Sequence, residues 1–98
     1  MEVQGLNIES IAKEFGTPVY LYDAEIIERQ VGAFKSAFPN IDLDVKYACK
    51  SNTNLSILKK MLELGTGLDT VSINEIKMGL IVGFKPEQIV FTPNCVDF

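Results

Sequence analysis

The fold is decided by residues 43–92, which open with LDVKYACKSN and close with QIVFT. Three short runs of β-branched and aromatic residues alternate there with two stretches whose apolar residues recur every three or four positions. Strands are predicted at Leu43–Cys49, Gly67–Val71 and Gln88–Thr92, with helices between them that end at Gly65 and Gly83. This alternation with short links predicts an α/β fold, and right-handed crossovers would place three parallel strands side by side.

Upstream of this pattern, Asn7 is suited to cap a short helix that ends at Gly16. Val19–Tyr22 is predicted to be a strand, and Asp23 to cap a helix over Ala24–Phe38. We therefore divide the chain into residues 1–39, a helix, a strand and a linking helix, and residues 40–98, the first β/α units of an incomplete barrel. Three parallel strands leave an open edge, so we expect the chain to be an N-terminal fragment.

The composition limits the kinds of molecule that the protein is expected to bind. The net charge is −4 with no basic run, which argues against nucleic acid or an anionic membrane. No apolar stretch approaches the roughly 20 residues of a membrane span, and the N-terminus has no signal-peptide pattern. Two cysteines are too few for a secreted disulfide framework, so a cytoplasmic location is expected. The absence of histidine excludes Ser-His, Cys-His and His-metal chemistry within these residues.

Lys50 is the candidate for chemistry because it lies at the end of the first of the three strands. In α/β barrels the active site forms at the carboxyl ends of the strands. Alternation along the strand places Tyr47 and Cys49 toward the helices, and Lys46, Ala48 and Lys50 on the opposite face. A lysine partly shielded from water at such a rim is suited to bond an aldehyde. From the pattern alone, a solvated lysine at a strand end remains the alternative.

The residues around Lys50 resemble a known family. YACKSN (47–52) resembles the Tyr-Ala-x-Lys-Ala-Asn signature of fold-type III pyridoxal-phosphate (PLP) decarboxylases, with Ser51 where alanine is usual. The resemblance continues through LGTGLDTVS (64–72), Glu75 and PEQIVF (86–91). GTPVYLYD (16–23) and FTPNCV (91–96) resemble the branch of the family that acts on diaminopimelate. The likeness runs from about Ile8 to Phe98.

The resemblance implies a fold and a site. The fold would be the N-terminal part of a PLP-binding (β/α)8 TIM barrel of the alanine-racemase-like class, with roughly its first three strands. Val19–Tyr22 would join a C-terminal β-domain absent from this chain. Lys50 would be the catalytic residue that holds pyridoxal 5'-phosphate, with Asp69 and Glu75 beside the cofactor. No metal is implied, and the full-length protein would be a homodimer with a small-molecule amino-acid substrate.

Two of these site residues also have a structural interpretation. Asp69, placed just after the second strand, fits a turn or helix-approach residue as well as a cofactor neighbour. Ser72 and Glu75 have the spacing of a capping box, with serine at the N-cap and glutamate three residues later. The two interpretations of Glu75 are compatible.

The activity implied is decarboxylation of meso-2,6-diaminopimelate to L-lysine and CO2 by the full-length parent. The fragment alone is expected to be inactive, because the family's phosphate cradle, ring-stacking histidine and β-domain lie further along the chain. Sister enzymes that act on ornithine, arginine or carboxynorspermidine share the same motifs and remain alternatives. A non-catalytic relative that binds a partner, or a complete small α/β binding domain, fits less well because Lys50 and the motif order are kept.

Overall fold

A computed structural model describes residues 1–94. The end of the FTPNCV run, including Cys95, lies outside the described residues. The chain separates into two compact units, Met1–Ser36 and a second that begins at Ala37. Among the described residues, no helix is long and apolar enough to cross a membrane.

The first unit opens with a hairpin that the sequence analysis did not predict. Strands β1 (Glu2–Val3) and β2 (Leu6–Asn7) pair antiparallel. Gln4 and Gly5 form the link with φ of 50° and 75°. Positive φ at both positions is what a two-residue hairpin turn requires, and glycine accepts it without strain.

Two helices complete this unit, α1 (Ile8–Phe15) and α2 (Ala24–Ser36). The predicted cap of α1 is confirmed, because Asn7 Oδ1 accepts from the backbone N–H groups of Glu9 and Ser10. Asp23 caps α2 in the same way, with Oδ1 accepting from the N–H groups of residues 25 and 26.

The predicted strand over Val19–Tyr22 is not formed. These residues have no regular secondary structure, and Tyr20 is 87% exposed. A strand persists only where a second strand satisfies its backbone groups. No strand of the described chain pairs with this segment, so its apolar pattern has no sheet to join.

The second unit alternates strands and helices as predicted. Its three strands are parallel in the order β3-β4-β5, which confirms the α/β class. Short 3-10 turns follow β3 and precede β5. The elements are β3 (Lys46–Ala48), α3 (Leu55–Glu63), β4 (Gly67–Thr70), α4 (Ile73–Val82) and β5 (Ile89–Phe91).

One face of this sheet packs on the helices. Leu68 of β4 is fully buried, and Gly79 of α4 lies so close that an added Cβ would stand 2.7 Å from Leu68 Cδ2 and 3.3 Å from Ile89 Cδ1. Leu68 is opposite Tyr47 on one side and Ile89 on the other, so these three residues share the helix-covered face. Lys46, Ala48, Asp69 and Val90 consequently lie on the other face.

Candidate functional site

The candidate site is built on one row of residues across the sheet. Ala48, Asp69 and Val90 are opposite one another in β3, β4 and β5. Lys50 lies two residues beyond Ala48, and Thr92 two residues beyond Val90. Neighbouring strands are about 4.8 Å apart, and Lys50 and Thr92 follow the ends of the two strands that flank β4.

Lys50 lies in a 3-10 turn (Cys49–Ser51) rather than on the strand. The prediction that the strand runs to Cys49 was therefore wrong. The backbone N–H of Asn52 donates to the carbonyl of Cys49 at 3.2 Å, and this bond curls the chain out of the ladder. The turn contacts β4. Lys50 is exposed, and no hydrogen bond or ion pair engages its amine within residues 1–94.

Lys46 provides the contrast. It lies on the face of β3 that Ala48 shares, but its Nζ is 2.8 Å from Asp44 Oδ2 and its side chain is only 23% exposed. The stem of Lys46 also covers Gly67, where an added Cβ would stand 2.5 Å from its Cδ. Of these two lysines of the β3 segment, Lys50 has the amine that is available for chemistry.

Asp69 lies within β4, inside the predicted bounds Gly67–Val71, so its interpretation as a residue that follows the strand was wrong. It is the third of four strand residues and is half-buried. Its Oδ1 accepts a 2.6 Å hydrogen bond from the hydroxyl of Thr92. The sequence analysis missed Thr92, although its place two residues beyond the partner of Asp69 becomes evident once the register is known.

Glu75 is buried at the start of α4, with 8% of its surface exposed. Half of the predicted capping box is confirmed, because the N–H of Glu75 donates to Ser72 Oγ at 3.2 Å. The glutamate side chain reaches back one residue further than predicted, and Oε2 accepts from the N–H of Val71 at 2.6 Å. Glu75 thus ties the end of β4 to the first turn of α4.

Cys49 links this helix start to the lysine turn. Its side chain is fully buried. Desolvation by burial raises the pKa of the thiol, and the negative charge of Glu75 raises it further. Glu75 therefore acts electrostatically on the residue directly before Lys50. The protonated thiol behaves as a small core residue, which fits its predicted place toward the helices.

These residues suit the aldehyde end of a carbonyl cofactor. Lys50 offers an unengaged primary amine at the carboxyl edge of the sheet. Primary amines form covalent bonds with aldehydes. Asp69 places a carboxylate in the adjacent strand, one row below. Ala48, opposite Asp69, carries only a methyl group and leaves the face between them uncrowded.

Comparison with known proteins identifies the family. The family model described as the pyridoxal-binding domain of pyridoxal-dependent decarboxylases matches residues 24–98. The chain belongs to this family. Diaminopimelate decarboxylase from Helicobacter pylori is 43% identical over 86 residues, which are 88% of this chain and 21% of that protein. The enzyme of the same name from Aquifex aeolicus is 37% identical over 89 residues, covering 91% and 21% respectively.

Solved structures show the same fold. A crystal structure of an Aquifex aeolicus protein superposes with a TM-score of 0.86 at 37% identity, over 92% of this chain and 22% of that one. Diaminopimelate decarboxylase from Helicobacter pylori, complexed with L-lysine, gives a TM-score of 0.77 at 42% identity, over 87% and 22%. Ornithine decarboxylase from Entamoeba histolytica gives 0.73 at 31% identity, over 85% and 27%. The chain spans about a fifth of the length of the curated relatives.

Proposed function

We propose that this chain is the N-terminal part of a PLP-dependent decarboxylase that converts meso-2,6-diaminopimelate to L-lysine and CO2, with Lys50 as the cofactor lysine. The observation that carries the proposal is the unengaged amine of Lys50 just beyond β3, next to the strand β4 that carries the Asp69 carboxylate. The names of the relatives support the choice of diaminopimelate, as does the GTPVYLYD opening.

Lys50, Asp69 and Glu75 would each have a separate role at the carboxyl edge of the sheet. When bound, PLP supplies an electron sink for the charge left at the substrate Cα as CO2 departs. Lys50 Nζ would hold the cofactor through its aldehyde carbon and, as a free amine, would be the group of this chain placed to return a proton to Cα. The Asp69 carboxylate would stabilise positive charge on that nitrogen. Glu75 holds the chain between β4 and α4 and thereby the position of the strand end.

The wider architecture of the parent is part of the same proposal. Residues 40–98 would supply the first three β/α units of an eight-stranded barrel. Residues 1–39 would supply a helix, the linking helix and the segment Val19–Tyr22, which would become a strand in a C-terminal β-domain. Four large apolar side chains in that segment are between 43% and 87% exposed here. Such exposure is expected of a strand whose partner strands are not among the described residues. A cytoplasmic homodimer is the expected form of the full-length enzyme.

Decarboxylation of ornithine or arginine is the second candidate. The ornithine decarboxylase of Entamoeba histolytica shares the fold at 31% identity. Lys50, Asp69 and Glu75 would have the same roles in either enzyme. The two candidates differ only in how the distal end of the substrate is bound.

The decisive experiment first identifies the lysine that binds the cofactor and then identifies the amino acid that is decarboxylated. The full-length protein is incubated with PLP, reduced with borohydride and digested, and the modified peptide is identified by mass spectrometry. We expect the added mass on Lys50. CO2 release is then measured with meso-diaminopimelate, ornithine and arginine in parallel, with and without PLP.

Lys46 gives the matched control, since it begins the strand that leads to Lys50 but is paired with Asp44. Lys50→Ala should lose both the label and the turnover, whereas Lys46→Ala should keep the label on Lys50. A label on another lysine would refute the proposal. PLP-dependent CO2 release from ornithine or arginine alone would leave Lys50 as the cofactor lysine but change the assigned substrate. The 98-residue chain by itself should show no turnover.

A further inference from the structure

Thr92 stands one residue beyond β5 and is held by two contacts. Its backbone N–H donates to the carbonyl of Thr70 at 2.8 Å, which extends the β4–β5 ladder. Its hydroxyl lies 2.6 Å from Asp69 Oδ1 and 3.4 Å from the carbonyl of Thr70. A threonine hydroxyl has a single proton to donate. The shorter distance assigns that proton to the carboxylate of Asp69.

This bond fixes the carboxylate. Threonine is stiff about χ1, and the ladder fixes its backbone, so the donor cannot follow Asp69 into another rotamer. Among residues 1–94 no other hydrogen bond or ion pair engages the Asp69 side chain. Oδ1 is therefore occupied by Thr92, and Oδ2 is left for a donor at the carboxyl edge of the sheet.

The candidate donor at this edge is the amine of Lys50, which no hydrogen bond or ion pair engages within residues 1–94. Ala48 is opposite Asp69, and Lys50 follows two residues later in a turn that contacts β4. Thr92 and Lys50 thus lie beyond the row of Asp69 on its two sides. Thr92, on the β5 side, holds the carboxylate in place. Lys50, on the β3 side, carries the amine whose positive charge the carboxylate would stabilise.

We propose that Thr92 is a positioning residue, which turns Asp69 Oδ2 toward the nitrogen of the cofactor lysine without itself touching substrate. The inference rests on the proposed function of Lys50 and deepens it. A carboxylate held in place needs no reorientation when positive charge appears on the nitrogen. The hydrogen bond from Thr92 would act through this preorganisation.

The test uses the full-length holoenzyme and two variants that differ by the hydroxyl. Thr92→Val removes it at nearly constant shape, and Thr92→Ser keeps it. Each is made alone and together with Asp69→Ala. The dissociation constant of PLP is measured by titrating the apoenzyme and following the absorbance of the lysine-bound cofactor. The kcat and KM for the amino acid, and the urea midpoint of the apoenzyme, are measured alongside.

We expect Thr92→Val to weaken PLP binding and lower kcat by about tenfold each, a factor equal to about 1.4 kcal/mol. KM should change by less than about twofold, because Thr92 is placed away from the substrate. Thr92→Ser should stay within about twofold of wild type. In the Asp69→Ala background Thr92→Val should have no further effect, since the acceptor is gone.

Three results would overturn the inference. One is an unchanged PLP affinity and kcat in Thr92→Val. Another is a lowered urea midpoint with unchanged cofactor binding, which would make the bond purely structural. The third is a Thr92→Val effect of equal size with and without Asp69. A wild-type protein that attaches no PLP to Lys50 would instead overturn the proposed function, and the inference with it.

Discussion

The carboxylate of Glu75 accepts a hydrogen bond from the backbone N–H of Val71 at 2.6 Å. This bond joins the residue after β4 to the first turn of α4 and satisfies a backbone donor that the sheet does not. The glutamate is almost completely buried. Such a carboxylate also benefits from the positive end of the helix dipole. The junction between strand and helix is therefore held by two side chains, Glu75 and the capping Ser72.

Replacement of Glu75 by alanine should destabilise the protein. The N–H of Val71 would lose its acceptor, and a polar group left unpaired away from water costs about 1–3 kcal/mol. We expect a correspondingly lower urea midpoint for the full-length apoenzyme. Glu75→Gln keeps an acceptor in the same place but without charge. Because charge-assisted bonds are about twice as strong as neutral ones, it should lose roughly half as much. Equal losses in the two variants would contradict this account.

Gly79 is the second position where one substitution tests the packing. An added Cβ would stand 2.7 Å from Leu68 Cδ2 in the fully buried core. Overpacking lowers the free energy of unfolding by about 1–3 kcal/mol. The better helix propensity of alanine raises it by about 1 kcal/mol. Gly79→Ala should therefore lower the unfolding free energy, as measured by urea denaturation.

Gly32 supplies the matched control, since it lies in the middle of α2 with nothing within 4 Å of an added Cβ. Gly32→Ala should stabilise the protein by up to about 1 kcal/mol. The steric cause can be tested further in a Leu68→Ala background, where the clashing methyl is absent. Gly79→Ala should then become neutral or stabilising. A persistent loss in that background would show that the contact with Leu68 is not the cause.

Gly67→Ala should be more damaging than Gly79→Ala. The added Cβ would lie 2.5 Å from the backbone oxygen of Gln88 and 2.5 Å from Lys46 Cδ. The Gln88 carbonyl belongs to the backbone directly before β5 and cannot shift without moving that strand, whereas the lysine side chain can move. We therefore expect Lys46→Ala to rescue only part of the loss of stability in Gly67→Ala. Complete rescue would show that the lysine stem is the sole obstacle.

The pattern of elements was predictable because each signal is local. Asn7 and Ser72 cap their helices through bonds to backbone groups two or three residues away. Gly16 and Gly83 end theirs with positive φ, at 83° and 115°. These interactions depend on a few consecutive residues, so the sequence alone contains the information for them.

What could not be predicted depends on register between strands. Asp69 meets Thr92 only because Asp69 is opposite Val90, and no local rule sets that pairing. The strand predicted over Val19–Tyr22 failed for the related reason that a strand needs a partner from elsewhere in the chain. The turn at Lys50 was missed because apolar alternation continues through Cys49 while the backbone has already left the ladder.

Cys49 gives a prediction with a defined pH dependence. Burial, and then the charge of Glu75, raise the pKa of its thiol in the folded state. The folded protein thus holds this proton more tightly than the unfolded chain does. The associated stability is complete below the ordinary thiol pKa of about 8.5. It is lost as the pH rises from there through the folded pKa.

The unfolding free energy of the wild type should therefore fall in this alkaline range by up to about 1.4 kcal/mol per pH unit more than that of Cys49→Ala. Glu75→Gln should reduce the difference, because it removes the second cause of the shift. Thiol accessibility gives an independent measurement in a Cys95→Ser background, where Cys49 is the sole cysteine of this segment. Iodoacetamide should label it in urea and leave it unmodified in the folded protein. Rapid labelling of the folded protein at neutral pH would contradict both the burial and the raised pKa.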